Sequence, residues 1–316
     1  MARVFVTRSL PGGALERLSA AHQTDVWPER VPPPASDLRE RARDAEGLLS
    51  LLTDPVDAGL IHACPELRAI SNYAVGVDNI DLETATVRSI PVGNTPDVLT
   101  ESTADLALAL MLGIARRVVQ GDAFVRAGEW VTWEPELLLG HDLHGATVGI
   151  IGLGRIGQAV ARRVEGFGSE VLHTSRNGGV ELGELLERSD FVTLHCPLTP
   201  ETRGLIGPQA LRRMKRSAYL VNSARGPIVD SDALRAALVA GEIAGAALDV
   251  TDPEPLPTDD PLLGAPNLVV LPHLGSATHA TRERMADMAV ENLLAGLAGE
   301  RMPNCVNPQV YEAKRA

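Results

Sequence analysis

Between residues 147 and 168, a short apolar, β-branched run leads into a glycine-rich turn and then into an amphipathic helix. The run holds Val148, Ile150 and Ile151. Apolar residues then recur at the spacing of a helix with one buried face, at Ile156, Ala159, Val160, Val164 and Phe167. Strand, turn and helix in this order are typical of a dinucleotide-binding unit.

The turn itself has the spacing GxGxxG and reads Gly152-Leu153-Gly154-Arg155-Ile156-Gly157. We expect Gly152 to permit the tight turn, Gly154 to let the backbone approach a pyrophosphate, and Gly157 to let helix and strand pack closely. The amino end of the helix carries unpaired N–H groups and a partial positive charge, so it would hold the phosphates.

Strand-like and helical segments alternate along the whole chain, which predicts two α/β domains with parallel sheets. In the first domain the predicted strands are Arg3–Val6, Asp25–Trp27, Gly47–Leu52 and Leu67–Asn72. In the second domain they are Val148–Ile151, Glu170–Thr174, Phe191–Leu194, Tyr219–Asn222, Ala246–Asp249 and Leu268–Leu271. A long helix, Glu101–Val119 with Thr100 as its N-cap, lies between these sets, and a final helix, about Ala280–Leu297, returns to the first domain.

The segment 128–143, here called the arm, follows the long helix. It contains Trp130, Trp133 and the apolar Leu137–Leu139. Two of the chain's three tryptophans on one arm favour an interface with another subunit. The alternative is a surface loop that packs on its own subunit.

Composition narrows the possible partners and compartment. A chain of 316 residues is long enough for two domains, and a net charge of −12 argues against nucleic acid as a partner. The three cysteines are unevenly spaced and form no CxxC, which favours a reducing compartment without disulfides or a structural metal. The longest apolar run, Leu106–Leu112, is too short to span a membrane, and the amino terminus lacks the apolar stretch of a signal peptide. We therefore expect a cytoplasmic protein with no membrane or metal partner.

Three polar segments each follow a predicted strand of the second domain, and they contain Arg225, Glu254 and His273. The carboxyl ends of parallel strands meet at one edge of a sheet, so we expect these side chains to converge there. Arg225 would fork across the carboxylate and carbonyl oxygen of a 2-oxo acid. His273 would donate a proton as hydride arrives, while Glu254 would hold one imidazole nitrogen and favour the protonated ring. Taken singly, each residue also fits a structural role in a loop or turn.

The tip of the second strand of the dinucleotide unit bears on the cofactor. The strand Glu170–Thr174 ends in Ser175-Arg176-Asn177, without the acidic residue that usually binds the adenosine ribose hydroxyls. Glu170 opens the strand and so lies at the wrong end. Arg176 suits a 2′-phosphate through a charge-assisted hydrogen bond. We therefore expect NADPH, with NAD as the alternative if Arg176 is an ordinary solvated arginine.

The chain resembles the D-2-hydroxyacid dehydrogenase family over essentially its whole length, through VGIIGLGRIGQAVARR, NSARG, GAALDVTDPEPLP and LPHLGSATHATRERM. It is most similar to the glyoxylate/hydroxypyruvate reductase branch, through NTPDVLTESTADLAL, DVTDPEPLP, the tryptophan-rich arm and LLAGLAGERMPNCVNP. The resemblance implies two doubly wound parallel-sheet domains with a cleft between them. A smaller flavodoxin-like substrate domain would comprise 1–95, completed by 284–316. A Rossmann-like cofactor domain would comprise 96–283, and a homodimer would form on the long helix and arm, 100–145.

The same resemblance assigns roles to matching positions. It gives catalysis to Arg225, Glu254 and His273. It gives cofactor contacts to Gly152, Leu153, Gly154, Arg155, Ile156, Gly157, Ser175, Arg176, Ser223, Ala224, Asp249, Gly275 and Thr103. Cys196 and Pro197 follow another strand and are candidates for the adenosine pocket or for structural packing. Substrate contacts fall on Leu52, Val75, Gly76, Arg225, His273, Ser276 and, from a neighbouring subunit, Trp133, with the N–H groups of Val75 and Gly76 binding the carboxylate.

Some alternatives stay open at this point. The segment between Arg176 and Asp190 is shorter than family members usually have beside the adenosine pocket, which bears on cofactor preference. A sibling enzyme could act on phosphoglycerate, 2-ketogluconate, phosphite or a phosphonate, although the Leu and Val side chains near Leu52 and Val75 favour small 2-oxo acids. Glu254 disfavours a formate dehydrogenase, which carries Gln there. A non-catalytic, NAD-sensing corepressor on the same scaffold is the alternative outside the enzymes.

Overall fold

The computed structural model describes residues 1–312. The chain divides into two compact units. Unit 1 comprises Met1–Leu99 and Thr278–Ala316, and unit 2 comprises Thr100–Ala277. The domain limits predicted from the sequence, 1–95 with 284–316 and 96–283, remain predictions beside this division.

Unit 1 is built on a five-stranded parallel sheet. Its strands are β1 (Arg3–Val6), β2 (Gln23–Val26), β3 (Gly47–Leu51), β4 (Ala69–Tyr73) and β5 (Val92–Gly93). Its helices are α1 (Ala14–Ala21), α2 (Ala35–Ala42), α3 (Ala58–Ala63), α4 (Leu82–Val87) and α11 (His279–Ala298). The strand order β2-β1-β3-β4-β5 is the flavodoxin-like doubly wound order.

Both faces of this sheet are buried, which explains the continuous apolar sequence of its central strands. Leu49 packs in a cluster with α1 and α11, whereas Leu48 packs in a cluster with α2, α3 and α4. Thr278 caps α11 by accepting a hydrogen bond from Thr281 N, and Gly299 ends the helix in the left-handed conformation, with φ 77°.

Unit 2 contains a seven-stranded sheet. Its strands are β6 (Thr147–Ile151), β7 (Glu170–Ser175), β8 (Gly178–Gly179), β9 (Phe191–Leu194), β10 (Tyr219–Asn222), β11 (Gly245–Leu248) and β12 (Leu268–Val270). Its helices are α5 (Thr100–Ala115), α6 (Val118–Arg126), α7 (Arg155–Glu165), α8 (Leu182–Arg188), α9 (Pro208–Arg213) and α10 (Ser231–Ala240). The order is β12-β11-β10-β9-β6-β7-β8, and every pair except β7–β8 is parallel. The predicted fold class, two parallel-sheet α/β domains with a Rossmann-like cofactor domain, is confirmed.

The prediction of one helix over Glu101–Val119 is wrong. Helix α5 begins at Thr100, which is therefore not its cap, and ends at Ala115, and α6 starts afresh after Arg117, which has a left-handed φ of 52°. The carbonyl of Ala115 accepts a hydrogen bond from His141 N at 3.0 Å, so the returning arm takes the acceptor that the next helical turn would need. A Cβ at Gly140 would lie 2.0 Å from that oxygen, so only glycine allows this approach. A contact between distant segments therefore ends the helix.

Candidate active site

Two glycines of the turn after β6 make the close backbone contacts that the sequence predicts, and the approach of a pyrophosphate to Gly154 stays a prediction. Gly152 has φ +96°, and a Cβ there would lie 2.5 Å from Cys196 N. A Cβ at Gly157 would lie 2.2 Å from the carbonyl oxygen of Gly152, so this glycine lets α7 pack on the turn. A Cβ at Gly154 would meet nothing within 4 Å. The open space therefore lies beside Gly154, where a pyrophosphate would have to approach the backbone.

Helix α7 begins at this open position. Gly154 is its N-cap and supplies no side chain to the first-turn N–H groups of Arg155, Ile156 and Gly157. Such a helix end offers N–H donors and a partial positive charge to an anion. The residues present thus fit the diphosphate of a nicotinamide dinucleotide.

The tip of β7 presents a cation and no carboxylate. Ser175 Oγ donates to Gly178 O at 3.1 Å and accepts from Asn177 N at 3.3 Å, so the short segment closes as a hairpin with exposed Arg176 at its turn. Glu170 pairs with Arg188 at 2.8 Å from the opposite end of the strand. Hydrogen bonding from Thr199 lowers the pKa of Glu201, and the positive charge of Arg176 lowers it further. Glu201 is therefore a carboxylate close enough to influence Arg176.

Arg225 lies in the loop after β10, and this loop is tightly fixed. Asn222, which is fully buried, accepts from Ala224 N at 3.0 Å and donates Nδ2 to Arg225 O at 2.9 Å. Arg225 Nη1 donates to Ala224 O at 2.8 Å. A Cβ at Gly226 would lie 1.9 Å from Thr251 O, so the loops after β10 and β11 are in direct backbone contact. Asn222 was not among the predicted site residues, although its place at a strand end before a polar loop was visible in the sequence.

Asp249 joins the loops after β11 and β12. It follows β11, which ends one residue earlier than predicted, and its carboxylate accepts from Leu274 N at 2.6 Å and Gly275 N at 2.8 Å. Its own carbonyl accepts from His273 N at 2.9 Å. Burial raises the pKa of Asp249, while the two N–H donors and the nearby His273 oppose that rise. Thr103 Oγ1 donates to Gly275 O at 3.1 Å, so the structure brings Thr103, Asp249 and Gly275 together.

His273 and Glu254 form a direct pair. His273 Nδ1 lies 2.5 Å from Glu254 Oε1, and the two side chains are 24% and 31% exposed, so the pair is reachable from solvent. His273 has a left-handed φ of 57°, which is rare for a residue with a Cβ and needs support from the surrounding structure. Cis peptide bonds precede Pro253 and Pro255 on either side of Glu254. Glu254 thus occupies Nδ1, and a carboxylate on one ring nitrogen orients the imidazole and fixes its tautomer.

The other predicted residues fall in separate places. Cys196 and Pro197 follow β9, where the backbone of Cys196 packs under Gly152, and burial raises the pKa of the Cys196 thiol. Ser276 follows Gly275 in unit 2. Leu52, Val75 and Gly76 lie in unit 1, after β3 and β4. Trp133 lies on the arm and is 78% exposed. Ser223 Oγ is buried and has no hydrogen-bond partner within residues 1–312.

The comparisons with known proteins show the family of this chain. Residues 108–275 match the D-isomer specific 2-hydroxyacid dehydrogenase family, NAD binding domain. The chain belongs to this family. A glyoxylate reductase of Korarchaeum cryptofilum is 51% identical over 99% of this chain and 98% of its own length.

Solved structures of similar proteins superpose closely on this chain. A protein of Thermus thermophilus is 51% identical, with a TM-score of 0.92 over 96% of this chain and 99% of that one. An NADPH-dependent glyoxylate/hydroxypyruvate reductase of Sinorhizobium meliloti, in complex with NADP and malonate, is 34% identical, with a TM-score of 0.84 over 97% and 98% of the two chains. The predicted enzyme class, a nicotinamide-dependent D-2-hydroxyacid dehydrogenase, is confirmed. Within residues 1–312 no helix could span a membrane, and no group of three or more His, Cys, Asp or Glu side chains could hold a metal ion.

Proposed function

We propose that this dehydrogenase reduces small 2-oxo acids of the glyoxylate and hydroxypyruvate type to D-2-hydroxy acids, with Arg225, His273 and Glu254 as its catalytic residues. The 2.5 Å pair of His273 and Glu254 carries the proposal. This pair and Arg225 follow three neighbouring parallel strands, β10, β11 and β12, of one sheet. The bound nicotinamide supplies the hydride.

The roles follow from the chemistry of the side chains. Arg225 binds the substrate carboxylate and carbonyl oxygen, which orients the carbonyl and stabilises the negative charge that develops on oxygen. His273 donates the proton from Nε2 to that oxygen, so that one hydride and one proton convert C=O to CH–OH. Glu254 keeps the ring oriented and balances the charge of the imidazolium. In the direction of oxidation the same nitrogen takes the proton back.

Further contacts are proposed for substrate and cofactor. The N–H groups of Val75 and Gly76 bind the carboxylate, with Leu52 and Ser276 beside the substrate. Cofactor contacts come from the glycine turn, from Thr103, Ser223, Ala224, Asp249 and Gly275, and from Cys196 and Pro197. We propose NADPH as the preferred cofactor, because the tip of β7 carries Ser175 and Arg176 and no carboxylate. The Sinorhizobium meliloti relative, described as NADPH-dependent, supports this choice.

A homodimer is also proposed. Helix α6 has no buried residue and exposes Val118, Val119 and Val125, and the adjoining arm exposes Trp130, Val131 and Trp133. A concentration of large exposed apolar side chains on one stretch marks an interface in soluble proteins. We propose that α6 and the arm pair with a second copy of the chain and that Trp133 reaches the substrate bound by that copy. We also propose a cytoplasmic location, because the three cysteines form no disulfide.

The test of the function is a substrate panel. Glyoxylate, hydroxypyruvate, pyruvate, 2-ketogluconate and phosphohydroxypyruvate, the 2-oxo acid that corresponds to phosphoglycerate, are mixed with the protein and NADPH or NADH, and the loss of reduced cofactor is followed by absorbance. We expect the highest kcat/KM with glyoxylate or hydroxypyruvate, and D-glycerate as the product from hydroxypyruvate. Cofactor binding without oxidation by any of these acids would contradict the proposal and favour a corepressor-like protein. Sedimentation of the wild type and of Trp130→Ser/Val131→Ser tests the dimer.

A further inference from the structure

The loop that follows β4 has a hydrogen-bond donor on the carbonyl oxygen of each of four successive residues. These pairs are Thr95 N to Ala74 O at 2.9 Å, Asn94 Nδ2 to Val75 O at 2.8 Å, Asn72 Nδ2 to Gly76 O at 2.9 Å, and Ile80 N to Val77 O at 3.0 Å. Two of the four donors are asparagine side chains. The direction of the loop's peptide groups is therefore set by side chains as well as by its backbone.

The N–H groups of the same loop are in the opposite situation. Within residues 1–312 the N–H groups of Val75, Gly76 and Val77 have no hydrogen-bond acceptor. In a trans peptide the N–H points away from the C=O of the preceding residue. Asn94, by holding Val75 O, thus fixes the direction of Gly76 N–H, and Asn72, by holding Gly76 O, fixes that of Val77 N–H. Successive N–H groups that are fixed in this way form a binding concavity for an anion.

Asn79 links this loop to the loop after β3. Its Nδ2 donates to Leu51 O and to Asp54 O, both at 3.0 Å. Its Oδ1 accepts from Asn72 Nδ2 at 3.0 Å, which holds the Asn72 amide in place. Asn79 thus occupies two carbonyl oxygens around Leu52 and supports the amide that occupies Gly76 O.

The orientation of the Asn72 amide is set from the sheet. Asn72 is fully buried in β4 and lies opposite Ser50 of β3. Ser50 Oγ donates to Asn72 Oδ1 at 3.0 Å, so Nδ2 is the atom that faces the loop. Every polar atom of this amide then has a partner, as a buried amide requires.

We propose that Asn79, Asn72 and Asn94 are positioning residues that direct the N–H groups of Gly76 and Val77, beside that of Val75, toward the carboxylate of the substrate. The inference rests on the proposed function, because it names what shapes the carboxylate-binding loop of that enzyme. The three amides do not touch the reacting atoms. They hold carbonyl oxygens away from an anion that those oxygens would otherwise repel.

Two variants test the arrangement, and the first should disturb the loop more than the second. Asn79→Asp keeps the shape of the side chain but replaces the donor with an oxygen that faces Leu51 O and Asp54 O. Asn94→Ala removes only the bond to Val75 O, while its backbone stays tied to Asn292 and Asn304. Asn307→Asp is the matched control, because Asn307 is an asparagine of unit 1 that donates Nδ2 to a backbone carbonyl, Ile90 O at 3.0 Å, at the other end of the sheet. The readouts are KM and kcat for glyoxylate, the inhibition constant of oxamate, the Kd of NADPH and the melting temperature.

We expect KM for glyoxylate and the inhibition constant of oxamate to rise together, by about tenfold in Asn79→Asp and about threefold in Asn94→Ala. The Kd of NADPH and kcat should change by less than about twofold. The lost interaction binds the carboxylate equally in the ground state and in the transition state, so its loss raises KM and leaves kcat unchanged. Unchanged values in folded Asn79→Asp and Asn94→Ala would overturn the inference, and so would an equal rise in Asn307→Asp or a parallel rise in the Kd of NADPH. If the wild type does not oxidise NADPH with glyoxylate, the proposed function fails, and calorimetric titration with oxamate still tests the loop.

Discussion

His273 Nδ1 lies 2.5 Å from Glu254 Oε1 in loops that follow two adjacent parallel strands. We expect His273→Gln to lower kcat by about 10²–10⁴, because general acid catalysis contributes that much, while the Kd of NADPH stays unchanged. Glu254→Gln should lower kcat less, since the ring remains in place. His144→Gln is the control, because His144 is an exposed histidine of the same unit that bonds Phe167 O. Steady-state kinetics measures kcat, and cofactor titration measures the Kd of NADPH. Wild-type turnover in His273→Gln would contradict the role of His273 as the proton donor.

Arg225 is expected to act through its fork and not through its charge alone. Arg225→Lys should lower kcat/KM for glyoxylate by about tenfold or more, because a charge-assisted hydrogen bond contributes about 1.5–3 kcal/mol and lysine cannot make the bidentate contact. Arg225→Ala should lose more. Arg235→Ala, at an exposed arginine of α10, serves as the control and should leave kcat/KM unchanged. Full activity of Arg225→Lys would show that a point charge is sufficient.

Substitutions of Arg176 and Glu201 should change the affinity for NADPH in opposite directions. Arg176→Ala should weaken NADPH by about tenfold and leave NADH almost unchanged, because only NADPH carries the 2′-phosphate. Glu201→Gln should strengthen NADPH modestly, since a carboxylate that interacts with Arg176 has been neutralised. The Kd of each cofactor is measured by fluorescence titration. Equal weakening of both cofactors by Arg176→Ala would discard the role of this arginine in phosphate recognition.

His195 should make stability fall in acid. Its Nε2 lies 2.9 Å from Thr193 Oγ1, its Nδ1 is sealed from solvent, and burial lowers the pKa of the ring to about 4. Between about pH 6.5 and 4 the unfolded chain binds a proton at this histidine that the folded chain does not. The free energy of unfolding should therefore decrease as pH falls through this window, by up to about 3 kcal/mol. His195→Gln should flatten that part of the curve in urea unfolding, and an unchanged slope would contradict the prediction.

Two buried threonines of unit 1 should respond in opposite directions to the same change. Thr95 Oγ1 has no hydrogen-bond partner within residues 1–312, whereas Thr7 Oγ1 donates to Asp54 Oδ2 at 2.5 Å, and both residues are fully buried. Thr95→Val should raise the free energy of unfolding by about 1 kcal/mol, because an unpaired buried hydroxyl is removed. Thr7→Val should lower it, since Asp54 loses a donor. Thermal unfolding compares them, and a loss of stability in Thr95→Val would refute the first expectation.

Much of the fold and of the central site was predictable, because the signals were local. The apolar run before Gly152 and the helical spacing after it specify one strand, one turn and one helix without reference to the rest of the chain. Arg225, Glu254 and His273 could be brought together by reasoning, since parallel strands share an edge. The pairing of His273 with Glu254 follows that expectation, while the catalytic roles remain predictions.

What the sequence could not show depends on contacts between distant segments. No proline or glycine directly follows Ala115 to mark the end of α5, and the helix ends there because His141 of the arm takes the carbonyl oxygen of Ala115 as its acceptor. Asn79 and Asn94 look like ordinary loop asparagines until their partners are known. The left-handed φ of His273 was likewise hidden, since histidine does not signal such a conformation in the way that glycine does.

The proposed proton-transfer residues and the proposed substrate contacts lie in different units, and this placement has an evolutionary consequence. The proposed proton-transfer residues sit on adjacent strand ends of unit 2, and Leu52, Val75 and Gly76 belong to unit 1. Mutations at these proposed substrate contacts would change which acid is accepted, while the proposed proton-transfer residues are inherited unchanged. Such a layout would let one ancestral catalyst diversify into many substrate preferences through changes confined to two short loops.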